Sequence, residues 1–127
     1  MSSALVHIAL HVNEKDINSF YLDVLHGKIE KTFELSREVA SEIFNVDKNV
    51  TVINFSVENI DFELFLDDDP PLQTFAHVCF YSERATKIME RAIQKGYRTY
   101  SRKTSLAETY FIRDINNNLF EIKIKRK

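Results

Sequence analysis

An α+β fold of two βαβββ modules in tandem is predicted by three observations. The sequence resembles itself between stretches beginning at His7 and His77, each copy holds one amphipathic helical stretch, and three strand-like runs follow each of those stretches. The copies read "HIALHVNEKDINSFYLDVLHGKIEKTF" and "HVCFYSERATKIMERAIQKGYRTY". Both begin as a strand and pass through a helix into a second strand.

The first strand, Val6 to Val12, alternates Val6, Ile8, Leu10 and Val12 against His7, Ala9 and His11, the period of a half-buried strand. The helix after it carries Ile17, Phe20, Tyr21, Val24 and Leu25 at the spacing of one apolar helical face. Ala85, Ile88, Met89, Ala92 and Ile93 repeat that spacing in the second copy. Asn13 and Ser82 precede the two helices as capping residues. Gly27 and Gly96, the two glycines of the chain, are expected to end them through a left-handed turn.

Strand-like runs follow around 28–34, 49–56 and 60–66, then 97–102, 108–113 and 119–125. The first module is read as 1–66 and the second as 72–127, joined by "DDDPP" at 67–71, where two prolines bar a continuing strand. The first module also holds an insertion, "SREVASEIFNV" (36–46), whose Val39, Ala40, Ile43 and Phe44 fit a short helix capped by Ser36. All 127 residues are thus one domain of two modules.

Strand alternation singles out four residues. The modules begin on His7 and His77 and close on matching tripeptides, Phe62-Glu63-Leu64 and Phe120-Glu121-Ile122. In each strand the His or Glu projects opposite the apolar row that packs on the helix. Were the two open sheet faces to curl toward one another, His7, Glu63, His77 and Glu121 would meet as two imidazoles and two carboxylates. That donor set suits a divalent ion such as Zn, Ni, Mn, Fe or Co, and leaves positions for water or substrate on a six-coordinate centre. Two glutamates also balance the ion's charge.

Composition narrows the function. With 17 basic and 19 acidic side chains the net charge is −2, which offers no footprint for nucleic acid or anionic lipid. The basic group Lys123, Lys125, Arg126 and Lys127 is read as a solvated tail. A lone cysteine, Cys79, and an N-terminus without a signal-type apolar run fit a reducing, cytoplasmic setting. No apolar run reaches the roughly 20 residues that span a bilayer, so a membrane is not expected as a partner.

On "HIALHV" with "FYLDVLHG", "AHVCFYS" and "YFIRDINNNLFEIK", the chain resembles the vicinal oxygen chelate superfamily over essentially its whole length. That superfamily includes glyoxalase I, bleomycin-resistance proteins, fosfomycin-modifying enzymes and extradiol dioxygenases. The resemblance implies paired βαβββ modules around a metal ion, often in a homodimer. It puts His7, His77 and Glu121 at the three ligand positions that most metal-dependent members share, with Glu63 as the fourth ligand of the glyoxalase I type. Two departures stand out. Asp114-Ile115-Asn116-Asn117-Asn118 replaces the usual D-P-D-G-N, with asparagine able to take the left-handed turn. "VLHG" replaces "VLGF", setting His26 at a helix end as a capping or surface residue.

The reading that follows is a metal-dependent isomerase or lyase acting on a small hydroxycarbonyl or thiol-adduct substrate. Metal polarisation stabilises an enediolate, and Glu63 or Glu121 carries the proton. Alternatives are an extradiol-type dioxygenase, a fosfomycin-type thiol transferase, and a metal-free drug- or metabolite-binding protein with Phe55, Phe65 and Tyr81 in its groove. His11 is a pocket residue or a partly exposed polar one, Cys79 a small packing residue, and Arg113 beside Asp114 an ion pair or an anion grip.

Overall fold

The structure, a computed structural model, describes residues 5–69 and 75–124. Pro70 and Pro71 of the junction and Lys125, Arg126 and Lys127 of the tail lie outside the described residues. The first module runs β1 (Ile8–Val12), a π-helix (Ile17–Leu22), β2 (Lys28–Leu35), α1 (Arg37–Phe44), β3 (Val50–Val57) and β4 (Ile60–Leu66). The second runs β5 (Val78–Ser82), α2 (Ala85–Gln94), β6 (Arg98–Lys103), β7 (Glu108–Arg113) and β8 (Leu119–Ile124).

Each module folds into one four-stranded sheet, ordered β1-β4-β3-β2 and β5-β8-β7-β6. The first strand pairs parallel with the last, Ala9 opposite Glu63 and Cys79 opposite Glu121, and the other pairings are antiparallel. A parallel neighbour needs a crossover, which the helix after the first strand starts. The βαβββ reading of both halves therefore stands, as does the short helix of 36–46. Ser36 Oγ accepts the Val39 N–H at 3.3 Å.

The helix starts and the first helix end depart from expectation. The first helix is π-wound, with Asp23 N–H on Asn18 O and Leu25 N–H on Phe20 O, each at 3.0 Å. Phe20, Tyr21, Val24 and Leu25 are still wholly buried. Asn13 and Ser82 do not bond into the helices. Each accepts the N–H two residues on, Lys15 at 2.9 Å and Arg84 at 3.0 Å, and so shapes the turn before its helix. Gly96 has the expected positive φ, but in the first module His26 takes the left-handed position at φ 56°. Gly27 is needed for room instead, because a Cβ there would lie 1.9 Å from Phe55 Cζ, far inside contact distance.

The modules share one core. Phe62 on the helix-packed face of β4 lies 6.2 Å, ring to ring, from Phe120 on the corresponding face of β8, and Phe20 lies 5.7 Å from Phe120. Tyr21, Phe55, Ile88, Ile112 and Ile122 complete the buried cluster. Polar ties ring this core. Tyr21 donates to Asp114 Oδ2 at 2.7 Å, Tyr97 to Asp16 Oδ1 at 2.6 Å, and Arg91 Nε to the Val24 carbonyl at 3.0 Å. Since the apolar faces of the two sheets meet one another, their open faces look away from each other.

Candidate functional site

The open faces carry all four predicted residues, and the structure brings them together two by two. His7 Nε2 lies 3.2 Å from Glu63 Oε1, and His77 Nε2 lies 3.2 Å from Glu121 Oε1. Among the described residues no group of three or more histidine, cysteine, aspartate or glutamate side chains could hold a metal. The quartet thus stands as two separate His–Glu pairs, one per module, and the open faces do not curl toward one another within the chain. The reason is the shared core: strand parity tells that a side chain leaves the helix side, but both helix sides are spent on each other.

Each pair is set by register. His7 enters β1 two residues before Ala9, which lies opposite Glu63. Cys79 stands in the same relation to His77 and Glu121. The pairs are partly open to solvent, with side-chain exposures of 43 % and 24 % in the first module and 39 % and 18 % in the second.

In the second pair, His77 Nδ1 lies 2.8 Å from the Phe75 carbonyl, so the ring donates there and turns its Nε2 lone pair toward the carboxylate. Two lone pairs at that distance attract only through a positive charge between them, a proton or a cation. Two ligand atoms about 2.1 Å from one ion stand about 3.0 Å apart at a right angle and about 3.4 Å at the tetrahedral angle, which brackets the observed spacing. A metal-bound histidine characteristically donates its other N–H to a carbonyl, as here. Lys123 Nζ, 3.3 Å from Glu121 Oε2, holds the second carboxylate oxygen and leaves Oε1 to face His77.

Asn54 is a site residue that sequence reasoning missed. It lies opposite Glu63 in the β3–β4 register, and its Oδ1 is buried without a hydrogen-bond partner. His7, Glu63, Asn54, Glu30 and Asp61 line one cleft of about 360 Å³. An unpartnered oxygen beside an imidazole and a carboxylate suits a cation or a water bound to one. The signal was available in the parity of β3, which puts Asn54 and Ser56 on the open face. The His–Glu pairs therefore fit a divalent ion, each supplying two adjacent donors, half of a four-donor set.

Other predicted residues are placed as follows. His11 Nε2 is 3.8 Å from Asp67 Oδ2 on the open face. Cys79 is exposed, and burial first, then the Glu121 charge, raises its thiol pKa. Arg113 makes no pair with Asp114; it donates to the Asn117 carbonyl at 2.9 Å while Asp114 turns inward to Tyr21. Phe55 is buried in the shared core, whereas Tyr81 is exposed.

No family model and no curated protein matches the sequence. Solved structures do match. A variant of the fosfomycin resistance protein FosX from Listeria monocytogenes, complexed with Mn(II) and 1S,2S-dihydroxypropylphosphonic acid, is 18 % identical with a TM-score of 0.73, covering 99 % of this chain and 93 % of that one. FosX from Mesorhizobium loti is 15 % identical with a TM-score of 0.70, over 99 % and 94 % of the two chains. A glyoxalase family protein from Enterococcus faecalis is 15 % identical with a TM-score of 0.70, over 94 % and 96 %. The likeness is one of fold, and the tandem βαβββ fold that the sequence resemblance implies is the fold found.

Proposed function

We propose that this chain is a divalent-metal-dependent enzyme of the glyoxalase I kind, an isomerase or lyase of a small hydroxycarbonyl or thiol-adduct substrate. Its centre is assembled in a homodimer, with His7 and Glu63 from one copy and His77 and Glu121 from the second copy. The observation that carries this reading is the pair of His–Glu couples at ligand spacing on outward-looking faces. Each is half of a donor set, and a two-fold dimer that joins unlike modules makes two whole sets. Mn(II) in one structural neighbour supports a divalent ion in this fold.

When bound, the ion polarises the two adjacent oxygens of the substrate and so acidifies the C–H between them. The protein's residues do the rest. Glu63 or Glu121 takes the proton from one carbon of the substrate and returns it to the next, the enediolate lying between the two transfers. The Phe75 carbonyl fixes the tautomer of His77, and Lys123 fixes the orientation of Glu121. Two carboxylates rather than one favour proton shuttling over the dioxygenase reading, which leaves Glu63 without a task.

Metal analysis joined to turnover tests this. The wild type is expected to take up one divalent ion per chain, and His77→Ala and Glu121→Ala to lose it. Turnover of methylglyoxal with a panel of thiols is expected without oxygen consumption, and Glu63→Ala is expected to lose turnover by 100-fold or more. Absence of metal uptake would contradict the proposal and favour the metal-free binding protein.

A further inference from the structure

At equivalent places on the two open faces lie two further cavities, and they differ in size and in how they are walled. In the second module the cavity measures about 620 Å³ and is bounded by Tyr81, Lys103, Lys123 and the turn at 104–107. Its counterpart in the first module measures about 240 Å³ and lies under α1, between Ala9, Leu35, Ala40, Phe44, Val46 and Phe65. The insertion, which has no counterpart in the second module, is thus what roofs the cavity of the first.

The roof is held in place. Arg37 of α1 forms a two-pronged ion pair with Asp47, and its N–H bonds Asn49 Oδ1 at 2.7 Å. Phe44 stacks edge-on against Phe65 at 5.2 Å. Yet the roof does not fill the space. Ala40 on the helix and Ala9 on the strand put two of the shortest side chains on its lining, and Phe44 stays half exposed. Roughly 150 Å³ of apolar cavity suffices to bind benzene. At the rim, Asp67 accepts from Lys48 at 3.0 Å and faces His11, so the mouth is polar and the interior is not.

Position ties this cavity to the proposed centre. Ala9 lines the cavity, lies opposite Glu63, and follows His7 by two residues on the same face of the strand, about 6.6 Å. We infer that the cavity under α1 is the subsite for an apolar substituent of the substrate. The preferred substrate therefore carries an alkyl or aryl group of about four to seven carbons next to its paired oxygens. This rests on the proposed metal centre and goes beyond it by naming the substrate class.

The test titrates Mn(II)-loaded protein with glycolate, 2-hydroxybutanoate and 2-hydroxyhexanoate, which share adjacent oxygens and differ in tail length. Affinity is expected to rise about fourfold for each added methylene. Val46→Phe, which fills the cavity, is expected to flatten that rise to under twofold across the series. Leu35→Ala, which widens it, is expected to extend the rise to longer tails. Metal uptake is read separately on the same samples. Affinity independent of tail length with uptake intact overturns the subsite and leaves the centre standing; absent uptake overturns the centre, and the subsite with it.

Discussion

Asp114 shows what a single residue does when two modules close on one core. Its carboxylate is buried, accepts from Tyr21 and twice from Asn118, and is pushed up to about 6, first by burial, against the lowering effect of those hydrogen bonds. Asp16 nearby is raised in the same way. Because the folded state holds the Asp114 proton to higher pH than the unfolded chain does, the associated stability is full below about pH 4 and lost as pH rises through about 6. The two-unit difference corresponds to roughly 3 kcal/mol. Urea unfolding at pH 4, 5, 6 and 7 is expected to show this fall, and Asp114→Asn is expected to flatten it. A slope unchanged in Asp114→Asn would contradict the assignment. In the sequence Asp114 sat beside Arg113 and read as an ion pair, since adjacency along the chain is visible there and a tyrosine 93 residues away is not.

Elements were more legible than their ends. Period-two alternation placed the inner strands because each has one face on a core, and the Ser36 cap announced α1. The π-winding was hidden: apolar residues at i, i+3 and i+4 mark a face without fixing which carbonyl each N–H chooses. The two helix-ending glycines looked alike for the same reason. Gly96 has φ 82° with open space around it, while Gly27 is pressed by Phe55. Gly96→Ala is therefore expected to cost about 1 kcal/mol, the strain of a left-handed alanine. Gly27→Ala is expected to cost about 3 kcal/mol, because Phe55 must move within a packed core. Thermal unfolding of both variants checks this, and equal losses would contradict it. At the start of the insertion, Ser36→Ala is expected to cost about 1 kcal/mol through the lost Val39 bond.

At the scale of the whole molecule, the repeat made the tandem βαβββ fold and the two His–Glu pairs readable, because duplicated positions carry the same chemistry. It did not reveal the packing of one module on the other. Phe20, Phe62 and Phe120 read as core residues of their own halves, and nothing in their spacing tells that the halves share them. That packing turns His7 and Glu63 away from His77 and Glu121, so that the proposed four-donor centre calls for a second copy. The most direct measurement mixes two inactive proteins, His7→Ala/Glu63→Ala and His77→Ala/Glu121→Ala, after dissociation and reassembly. Alone, neither is expected to take up a divalent ion at the centre. Random mixing makes about half of the dimers mixed, each with one intact centre of two, so metal uptake is expected to return to about a quarter of the wild-type level. Uptake that stays at the level of the separate variants would contradict the shared centre.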